Sequence, residues 1–300
     1  MQTPINEQGF SRFAENVYSQ FGEDGILRAI LDHLPDTDHW CVEFGAWDGI
    51  HLSNTFNLIK NHQYRAVLIE ANTNKFIELK KNMEPYGATI INTFVTFDGP
   101  TTLDGLLSQT KIPSNFDLLS IDIDGNDYWI LESISLYKPK IICIEYNSSM
   151  PNDIDYVQPR DFSIKRGSSP KSICDLALSK GYELVATTKT NLIFVHNSLY
   201  QYVELPDNKL KALRDDSFSK VYIFTGYDGT VILSDRLNFF WHSIEVSQEE
   251  LQILPSFLRR FRSDYNLIQK FLYFAFLLFR KPRKAFTLML CNIPKNSGSI

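Results

Sequence analysis

Hydrophobic residues in the first two-thirds of the chain follow two patterns that alternate along the sequence. Residues 20–34 carry apolar side chains three and four positions apart, the spacing of one helix face, and Pro35 follows them. Short continuous apolar runs come next and predict buried strands. Because helical and strand patterns alternate, the sequence predicts an α/β fold with helices on both faces of a sheet.

The same patterns give the individual elements in chain order. Helices are predicted at residues 20–34, 53–60, 74–83, 102–107, 130–136 and 169–180. Strands are predicted at residues 40–44, 65–69, 89–95, 116–123, 140–146, 182–187 and 191–196. A short polar turn separates the last two strands, which predicts a closing hairpin and therefore a seven-stranded mixed sheet.

The sequence after residue 200 changes in character. Residues 221–224 and 230–233 predict a further hairpin, and an aromatic cluster at residues 239–241 follows it. This cluster is either a lid over the site or a small satellite core. Residues 265–290 predict a helix, but its nine-residue apolar run at 271–279 is shorter than the ~20 residues that span a bilayer.

These changes divide the chain into three expected parts. Residues 1–200 form the main domain with an N-terminal cap helix, residues 201–258 form an extension on the substrate side, and residues 259–300 form a basic helical tail. The tail is expected either to lie on an anionic membrane surface or to pack in a homo-oligomer, and both alternatives stay open. No basic and apolar secretory signal begins the sequence, so we expect a cytoplasmic protein, peripheral to the inner membrane face if the tail binds lipid.

Charge is unevenly distributed along the chain. The net charge is −5, yet the residues from 259 onward carry nine Lys and Arg against one acid. The remainder is therefore strongly acidic. This argues against nucleic acid as the main substrate, because such binding depends on neutralising phosphates.

Glycines and an acid follow the first predicted strand. Glu43, Gly45, Ala46 and Gly49 lie in the run EFGAWDG, where the glycines allow a sharp turn and a close approach to a ligand. Glu43 suits a cationic or hydroxyl-bearing group. Trp47 occupies the middle position of a possible G-x-G-x-x-G turn, which argues against a dinucleotide.

Acidic residues also follow the second and fourth predicted strands. Glu70 lies about 25 residues after Gly45, where nucleotide-binding folds place an acid that accepts hydrogen bonds from ribose hydroxyls. Asp122, Asp124 and Asp127 crowd the fourth strand end, where like charges raise one another's proton affinity. The glycine spacing there is wrong for a calcium loop.

The fifth predicted strand ends in a further acid, an aromatic and an amide, at Glu145, Tyr146 and Asn147. Parallel strands end at one edge of a sheet, so this group is expected beside the aspartates. Together they either hold Mg²⁺ or grip hydroxyl groups of a substrate and the polar part of a cofactor. We favour the second alternative and assign no metal ligand.

The sequence resembles the FkbM-like family of S-adenosylmethionine-dependent methyltransferases, in the branch with an SQ-x-GEDG signature near the N-terminus. The matching motifs occur in order as SQFGEDG (19–25), EFGAWDG (43–49), SNT (53–55), LIE (68–70), DIDGND (122–127) and IEYN (144–147). Common members have Lys-x-Asp-x-Glu-Gly-x-Glu at the fourth strand end. This chain has Ser120 in place of that lysine, so the family's catalytic assignment there does not carry over.

The resemblance implies a Rossmann-like class I methyltransferase fold that binds S-adenosylmethionine and releases S-adenosylhomocysteine. It implies that Gly45, Ala46 and Gly49 approach the cofactor and Glu70 binds its ribose. It also implies that Gln20 or Glu23 closes over the cofactor from the N-terminal segment. Transfer to oxygen is expected, on a sugar of a surface glycan or a nucleotide-linked sugar used in polysaccharide biosynthesis.

A sugar hydroxyl needs a base to take its proton during methyl transfer. We predict Asp122 or Asp124 for this role, supported by Glu145, with Asp127, Tyr146 and Asn147 holding the acceptor. Glu43 and Asp122 are also expected to contact the cofactor. His51 and His196 are the second choices for the base. The alternatives are a methyltransferase for a non-sugar small molecule, a NAD-dependent sugar-modifying oxidoreductase on a similar sheet, and an inactive cofactor-binding scaffold.

Overall fold

The computed structural model describes residues 9–283 and divides the chain into two compact units, one ending at Ser219 and one beginning at Lys220. The first unit extends past the boundary expected at residue 200. Val203 and Leu205 are buried in its core, and Thr187 donates a side-chain hydrogen bond to the carbonyl of Leu213. This packing joins the segment after residue 200 to the sheet.

The first unit alternates strands and helices after a short 3-10 turn at Gly9–Phe13. Its strands are β1 Trp40–Phe44, β2 Arg65–Glu70, β3 Thr89–Asn92, β4 Leu118–Ile121, β5 Ile141–Glu145, β6 Tyr182–Thr187 and β7 Asn191–His196. Its helices are α1 Glu23–His33, α2 Phe56–His62, α3 Thr73–Met83, α4 Leu103–Leu107, α5 Asp127–Ser133, α6 Pro170–Ser179 and α7 Leu210–Leu213.

All seven strands form one sheet in the order β3-β2-β1-β4-β5-β7-β6. The first five strands in that order are parallel, and β7 is antiparallel to both β5 and β6. The predicted seven-stranded mixed sheet and its closing hairpin are therefore confirmed. Because β1, β2, β4, β5 and β6 run the same way, their carboxyl ends share one edge.

Helices cover both faces of this sheet, as predicted. Side chains of α1, α2 and α3 pack with one set of strand residues, and side chains of α4, α5 and α6 pack with the other. Neighbouring residues of β1 show the alternation that a strand imposes, because Cys41 belongs to the first core and Val42 to the second. This double burial explains the continuous apolar runs in the sequence.

The second unit contains two small hairpins and a helix. One hairpin pairs β8 Ile223–Thr225 with β9 Val231–Leu233, close to the predicted positions, and the other pairs β10 Leu237–Phe239 with β11 Ile244–Val246. Helix α8 spans Leu267–Arg280. The part of the predicted tail after residue 283 lies outside the described residues. Within residues 9–283, no helix combines the length and apolar content that crossing a membrane requires.

Candidate cofactor and catalytic site

A cavity of about 550 Å³ opens at the carboxyl ends of β1, β2 and β4. This is the edge where open α/β sheets bind ligands. Six of the residues predicted for the site line it, namely Glu43, Gly45, Ala46, Glu70, Asp122 and Asp124. These six predicted residues, which lie at or just after the ends of three different strands, therefore line one cavity.

The turn after β1 depends on a glycine at position 45. Gly45 has φ +75°, and a Cβ placed there would lie 1.8 Å from the carbonyl oxygen of Asp122. The ends of β1 and β4 therefore touch backbone to backbone. Gly49 has φ +79° but faces α3, since its Cβ would meet Leu79 at 2.6 Å. Gly49 shapes the turn from outside and does not line the cavity.

Glu43 lines the cavity while its carboxylate stabilises the next loop. One oxygen accepts hydrogen bonds from the hydroxyls of Ser53 and Thr55, at 2.6 and 2.7 Å, and the other accepts the backbone N–H of Asn54 at 2.8 Å. Burial raises its pKa, and these bonds oppose the rise. The SNT motif at residues 53–55 thus serves to hold this buried acid.

Glu70 ends β2 with its carboxylate at the cavity wall. One oxygen accepts the backbone N–H of Trp47 at 2.8 Å, and the other accepts that of Asn72 at 2.6 Å. Each carboxylate oxygen has a second lone pair available to a ligand hydroxyl. The two bonds fix the orientation of Glu70 across two turns, which suits a pair of neighbouring hydroxyl groups.

Asp122 and Glu145 stand side by side, because Ile121 of β4 is paired in register with Ile144 of β5. Asp122 is exposed to the cavity, yet protein surrounds its carboxylate on the other sides. This removal from water raises its pKa to about 7, and the charges of Asp127 and Asp124 add to the rise. Burial and the charge of Asp122 raise the pKa of Glu145 further. At neutral pH the pair therefore retains a proton.

The remaining acids of the β4 loop take different positions. Asp124 has φ +55°, lines the cavity and pairs with Lys165 at 3.7 Å. Asp127 is buried, and its carboxylate accepts the backbone N–H groups of Ile123 and Gly125 at 3.0 and 2.9 Å. Asp127 therefore shapes the loop instead of lining the cavity, where the sequence placed it as a substrate ligand.

Several cavity residues were not predicted from the sequence. Trp47 projects at the rim with Lys75 above its ring, and Phe94 packs edge-on against Phe162 with ring centres 4.5 Å apart. Asn126 lines the cavity and is 3% exposed, and its side-chain oxygen has no hydrogen-bond partner within residues 9–283. Such an orphaned acceptor suits a donor group from a ligand. The DGND motif contained this asparagine, whereas Phe162 and Lys165 come from an irregular loop without a pattern.

Acidic side chains of the SQFGEDG motif bond the N-terminal segment and the β6–β7 hairpin. Glu23 is buried and accepts hydrogen bonds from the side chains of Thr188 and Asn191 and from the N–H of Phe21. Asp24 accepts three consecutive backbone N–H groups of residues 17–19. Gln20 is exposed, and neither it nor Glu23 lines the cavity. The structure thus gives Glu23 and Asp24 a part in folding the N-terminal segment.

Tyr146 and Asn147 follow β5 and lie outside the first cavity. The hydroxyl of Tyr146 accepts from Arg214 Nε and donates to the carbonyl of Thr188, whereas Asn147 bonds Ser149 and Arg166 in its own loop. Neither residue lines the cavity of about 550 Å³.

The two histidines considered as bases lie far apart in the fold. His51 lines the cavity. His196 lies at the opposite edge of the sheet, where its N–H bonds the carbonyl of Lys140. Only His51 therefore remains close enough to assist a reaction in the cavity.

The carboxylates of Asp122, Asp124 and Glu145 form the one metal-competent group among residues 9–283, with candidate ligand oxygens within 4.8 Å of one another. Oxygen ligands of this kind suit Mg²⁺. Acidic clusters of this geometry also occur without a metal, so the cluster alone assigns no ion.

The cavity fits S-adenosylmethionine in chemistry. Its acids, Glu43, Glu70, Asp122 and Asp124, outnumber the basic Lys165, which favours a ligand carrying sulfonium and ammonium charges. Glu70 offers paired acceptors for ribose hydroxyls, and Asn126 offers its orphaned oxygen. Phe94 and Val95 provide an apolar wall beside β3 for a planar base.

Comparison with known proteins gives one family match. Residues 99–184, which contain the ends of β4 and β5, match the model of the methyltransferase FkbM domain. No curated protein sequence matches the chain.

Several solved structures are similar to this chain at low identity. They include M. capricolum TrmK in complex with its natural cofactor product S-adenosyl-homocysteine (17% identity, 57% of this chain and 67% of that chain, TM-score 0.36). A second is the CMeT domain of the citrinin polyketide synthase (12% identity, 58% and 51% covered, TM-score 0.39). A third is a methyltransferase from Clostridium acetobutylicum ATCC 824 (10% identity, 58% and 90% covered, TM-score 0.39).

The strand order itself establishes the fold, and the family match covers the strand ends that carry the aspartate cluster. Residues 99–184 therefore match the methyltransferase FkbM domain, the same family that the ordered motifs of the sequence resemble.

Proposed function

We propose that the chain transfers a methyl group from S-adenosylmethionine to a hydroxyl of a sugar, in a surface glycan or a nucleotide-linked sugar. The observation that carries this proposal is the position of Asp122. It shares a cavity with the Gly45 turn and Glu70, and its pKa is raised to about 7. A base with a pKa near the working pH is suited to removing a hydroxyl proton.

The cofactor would supply an activated methyl group on a cationic sulfur. Glu70 and Asn126 would bind its polar groups, and the backbone of the Gly45 turn would lie against the cofactor. Asp122 would accept the hydroxyl proton of the acceptor at a carboxylate oxygen. Glu145, which keeps a proton because of its raised pKa, would hold that carboxylate in place through their hydrogen bond.

An exposed aromatic side chain at the rim supports a sugar as acceptor. Trp47 is 47% exposed and lines the cavity. Aromatic faces stack on the apolar faces of sugar rings, and the neighbouring carboxylates of Asp122 and Asp124 accept hydrogen bonds from hydroxyls. A non-sugar small molecule with a hydroxyl group is the second candidate.

Calorimetry with S-adenosylhomocysteine tests the cofactor, and a panel of nucleotide sugars and free sugars then tests the acceptor. We expect S-adenosylhomocysteine to bind, NAD not to bind, and at least one sugar to gain a methyl group detectable by mass spectrometry. Asp122→Asn should bind S-adenosylhomocysteine and lose turnover. Turnover on hydroxylated non-sugar compounds alone would replace the sugar with the second candidate.

We also propose that helix α8 contacts an anionic membrane surface. Leu267, Ile268, Phe271 and Phe279 are each at least 70% exposed. Arg280, Lys281 and Arg283 follow at its end. An exposed apolar face next to basic residues suits the headgroup region of an anionic bilayer. This contact would place the enzyme near lipid-linked acceptors.

A further inference from the structure

A second cavity, of about 350 Å³, opens at the carboxyl end of β6. Its volume is within the range of small-molecule sites. The lining residues come from the N-terminal segment, the ends of β5 and β6, the β6–β7 turn and the segment after β7, and they include Phe21, Tyr146, Lys189, Arg214, Asp215 and Phe218. None of the roles derived above uses this cavity.

Arg214 is the unusual residue of this cavity. It is 5% exposed, and its guanidinium donates four hydrogen bonds, all to neutral oxygens. These acceptors are the Tyr146 hydroxyl, the carbonyls of Ser148 and Met150, and the side chain of Asn152. The carboxylates of the neighbouring Asp215 and Asp216 accept the backbone N–H groups of Ser217 and Asn152. A guanidinium has five N–H donors, so one on Nη2 remains available.

A buried cation is costly, since burying a charge requires compensation by an opposite charge. Lys189 adds a second positive group at the cavity wall, with its ammonium 5.2 Å from the centre of the Phe21 ring. Asp215 is the one acid lining the cavity, and its carboxylate is exposed and bonded to Ser217. The balance of the lining therefore favours an anionic ligand.

We propose that this cavity binds a phosphate or diphosphate group carried by the acceptor. The proposal rests on the proposed methyl transfer to a sugar and narrows the acceptor to a phosphorylated one. Arg214 would donate its remaining N–H to a phosphate oxygen, and Lys189 would supply a second charge. Phe21 and Phe218 would flank the group attached to the phosphate.

The spacing of the two cavities fits one extended acceptor. The first cavity lies at the ends of β2, β1 and β4, and the second lies past β5 at the end of β6. Strands lie ~4.8 Å apart, so three steps from β4 to β6 cover about 15 Å along the edge. This distance is longer than one sugar ring, so an acceptor held by both Asp122 and Arg214 would carry at least one further sugar between the methylated ring and the diphosphate.

Calorimetric titration of the full chain with inorganic pyrophosphate tests the site. We expect binding that weakens as salt is added, because two charges hold the anion. Lys189→Gln should lower the affinity about tenfold, the effect of losing one hydrogen bond to a charged group. Lys165→Gln is the matched control, because it removes the lysine of the first cavity and should leave pyrophosphate binding unchanged.

Arg214→Gln should abolish pyrophosphate binding if its thermal unfolding shows a folded protein. If that variant does not fold, Lys189→Gln alone decides. Absence of pyrophosphate binding by a chain that binds S-adenosylhomocysteine would overturn the proposal. So would a loss of affinity in Lys165→Gln with none in Lys189→Gln, since the anion would then lie in the first cavity.

Uridine diphosphate and farnesyl diphosphate identify the source of the phosphate. Tighter binding of the first supports a nucleotide-linked acceptor, and tighter binding of the second supports a lipid-linked one. Affinities equal to that of pyrophosphate would show that the diphosphate alone is recognised. Pyrophosphate binding in a protein that methylates no sugar would end the proposed function and leave this anion site standing.

Discussion

Asp122 and Glu145 place their carboxyl groups side by side at the ends of two neighbouring parallel strands, where burial and the charges of nearby aspartates raise the pKa of both. Two such groups titrate as a pair, and the first proton to leave frees one carboxylate for use as a base. The pKa of Asp122 is raised to about 7. The pair therefore switches from fully protonated to singly charged around neutral pH.

This coupling predicts the pH dependence of catalysis. Because Asp122 accepts a proton only in its charged form, kcat/KM should rise with pH through a step near 7. Asp122→Asn should lower kcat by about 10²- to 10⁴-fold, the usual contribution of a general base. Asp124→Asn should lower kcat far less, because Asp124 is exposed and paired with Lys165. Because pKa values in proteins vary by about one unit, the step should fall between about pH 6 and 8. A pH–rate profile without a step in this range would contradict the assignment to Asp122.

The raised pKa also makes a prediction about stability. The pKa of Asp122 is ordinarily 3.8, and in the folded chain it is about 7. Between these two pH values the folded state therefore holds a proton that the unfolded state releases. Stability from this proton is complete below about pH 4 and is lost as the pH rises through 7. Thermal unfolding from pH 5 to 8 should show a smaller decline in Asp122→Asn than in the wild type. Equal declines would mean that Asp122 is charged throughout.

The close approach of Gly45 to Asp122 predicts a sharp loss of function on adding one methyl group. In Gly45→Ala the new Cβ would lie 1.8 Å from a carbonyl oxygen, so the ends of β1 and β4 must separate. We expect affinity for S-adenosylhomocysteine to fall at least tenfold, about 1.4 kcal/mol. Gly87→Ala is the matched control, because it has φ +64° and no atom within 4 Å of the added Cβ.

Gly87→Ala bears only the cost of the left-handed backbone, on the order of 1–2 kcal/mol of folding stability. It should therefore melt earlier than the wild type but bind the cofactor product normally. Equal cofactor affinity in both glycine variants would show that the β1–β4 contact does not shape the cavity.

The sequence predicted the sheet well because a strand buried on both faces needs a continuous run of apolar residues, which is visible in the sequence. The runs at 182–187 and 191–196 are apolar and end in polar turns, and the structure gives strands with those same bounds. Sites at strand ends were predicted for a similar reason. Parallel topology brings Gly45, Glu70 and Asp122 to one edge whatever the side-chain details.

Contacts between segments far apart in the chain produce no such local pattern in the sequence. Phe162 and Lys165 reach the cavity from an irregular loop, and Arg214 reaches Tyr146 from 68 residues away. Glu23 is an example, because nothing in its motif shows which side chains its carboxylate will bond. Its partners Thr188 and Asn191 lie more than 160 positions further along the chain.

The position of Glu23 leads to a prediction that separates folding from cofactor binding. Glu23→Gln should weaken the contacts with Thr188 and Phe21 and lower the free energy of unfolding by about 1–3 kcal/mol. The folded fraction should keep its affinity for S-adenosylhomocysteine. Glu70→Gln, in contrast, should lower that affinity, because it alters an acceptor at the cavity wall. Titrations at a temperature where both variants are folded distinguish the two effects, and a cofactor defect in Glu23→Gln would restore its predicted ligand role.

The exposed face of α8 predicts binding to anionic vesicles. The full chain should sediment with vesicles containing phosphatidylglycerol and remain in the supernatant with phosphatidylcholine alone, because basic residues near the surface contribute ~1 kcal/mol each. The double variant Phe271→Gln, Phe279→Gln should lose at least tenfold in binding, since both rings are at least 70% exposed. Phe257→Gln, Phe261→Gln is the matched control, with two exposed rings that lie before the helix. A chain that ignores vesicles and forms a dimer disrupted by the α8 substitutions would assign this face to an oligomer interface.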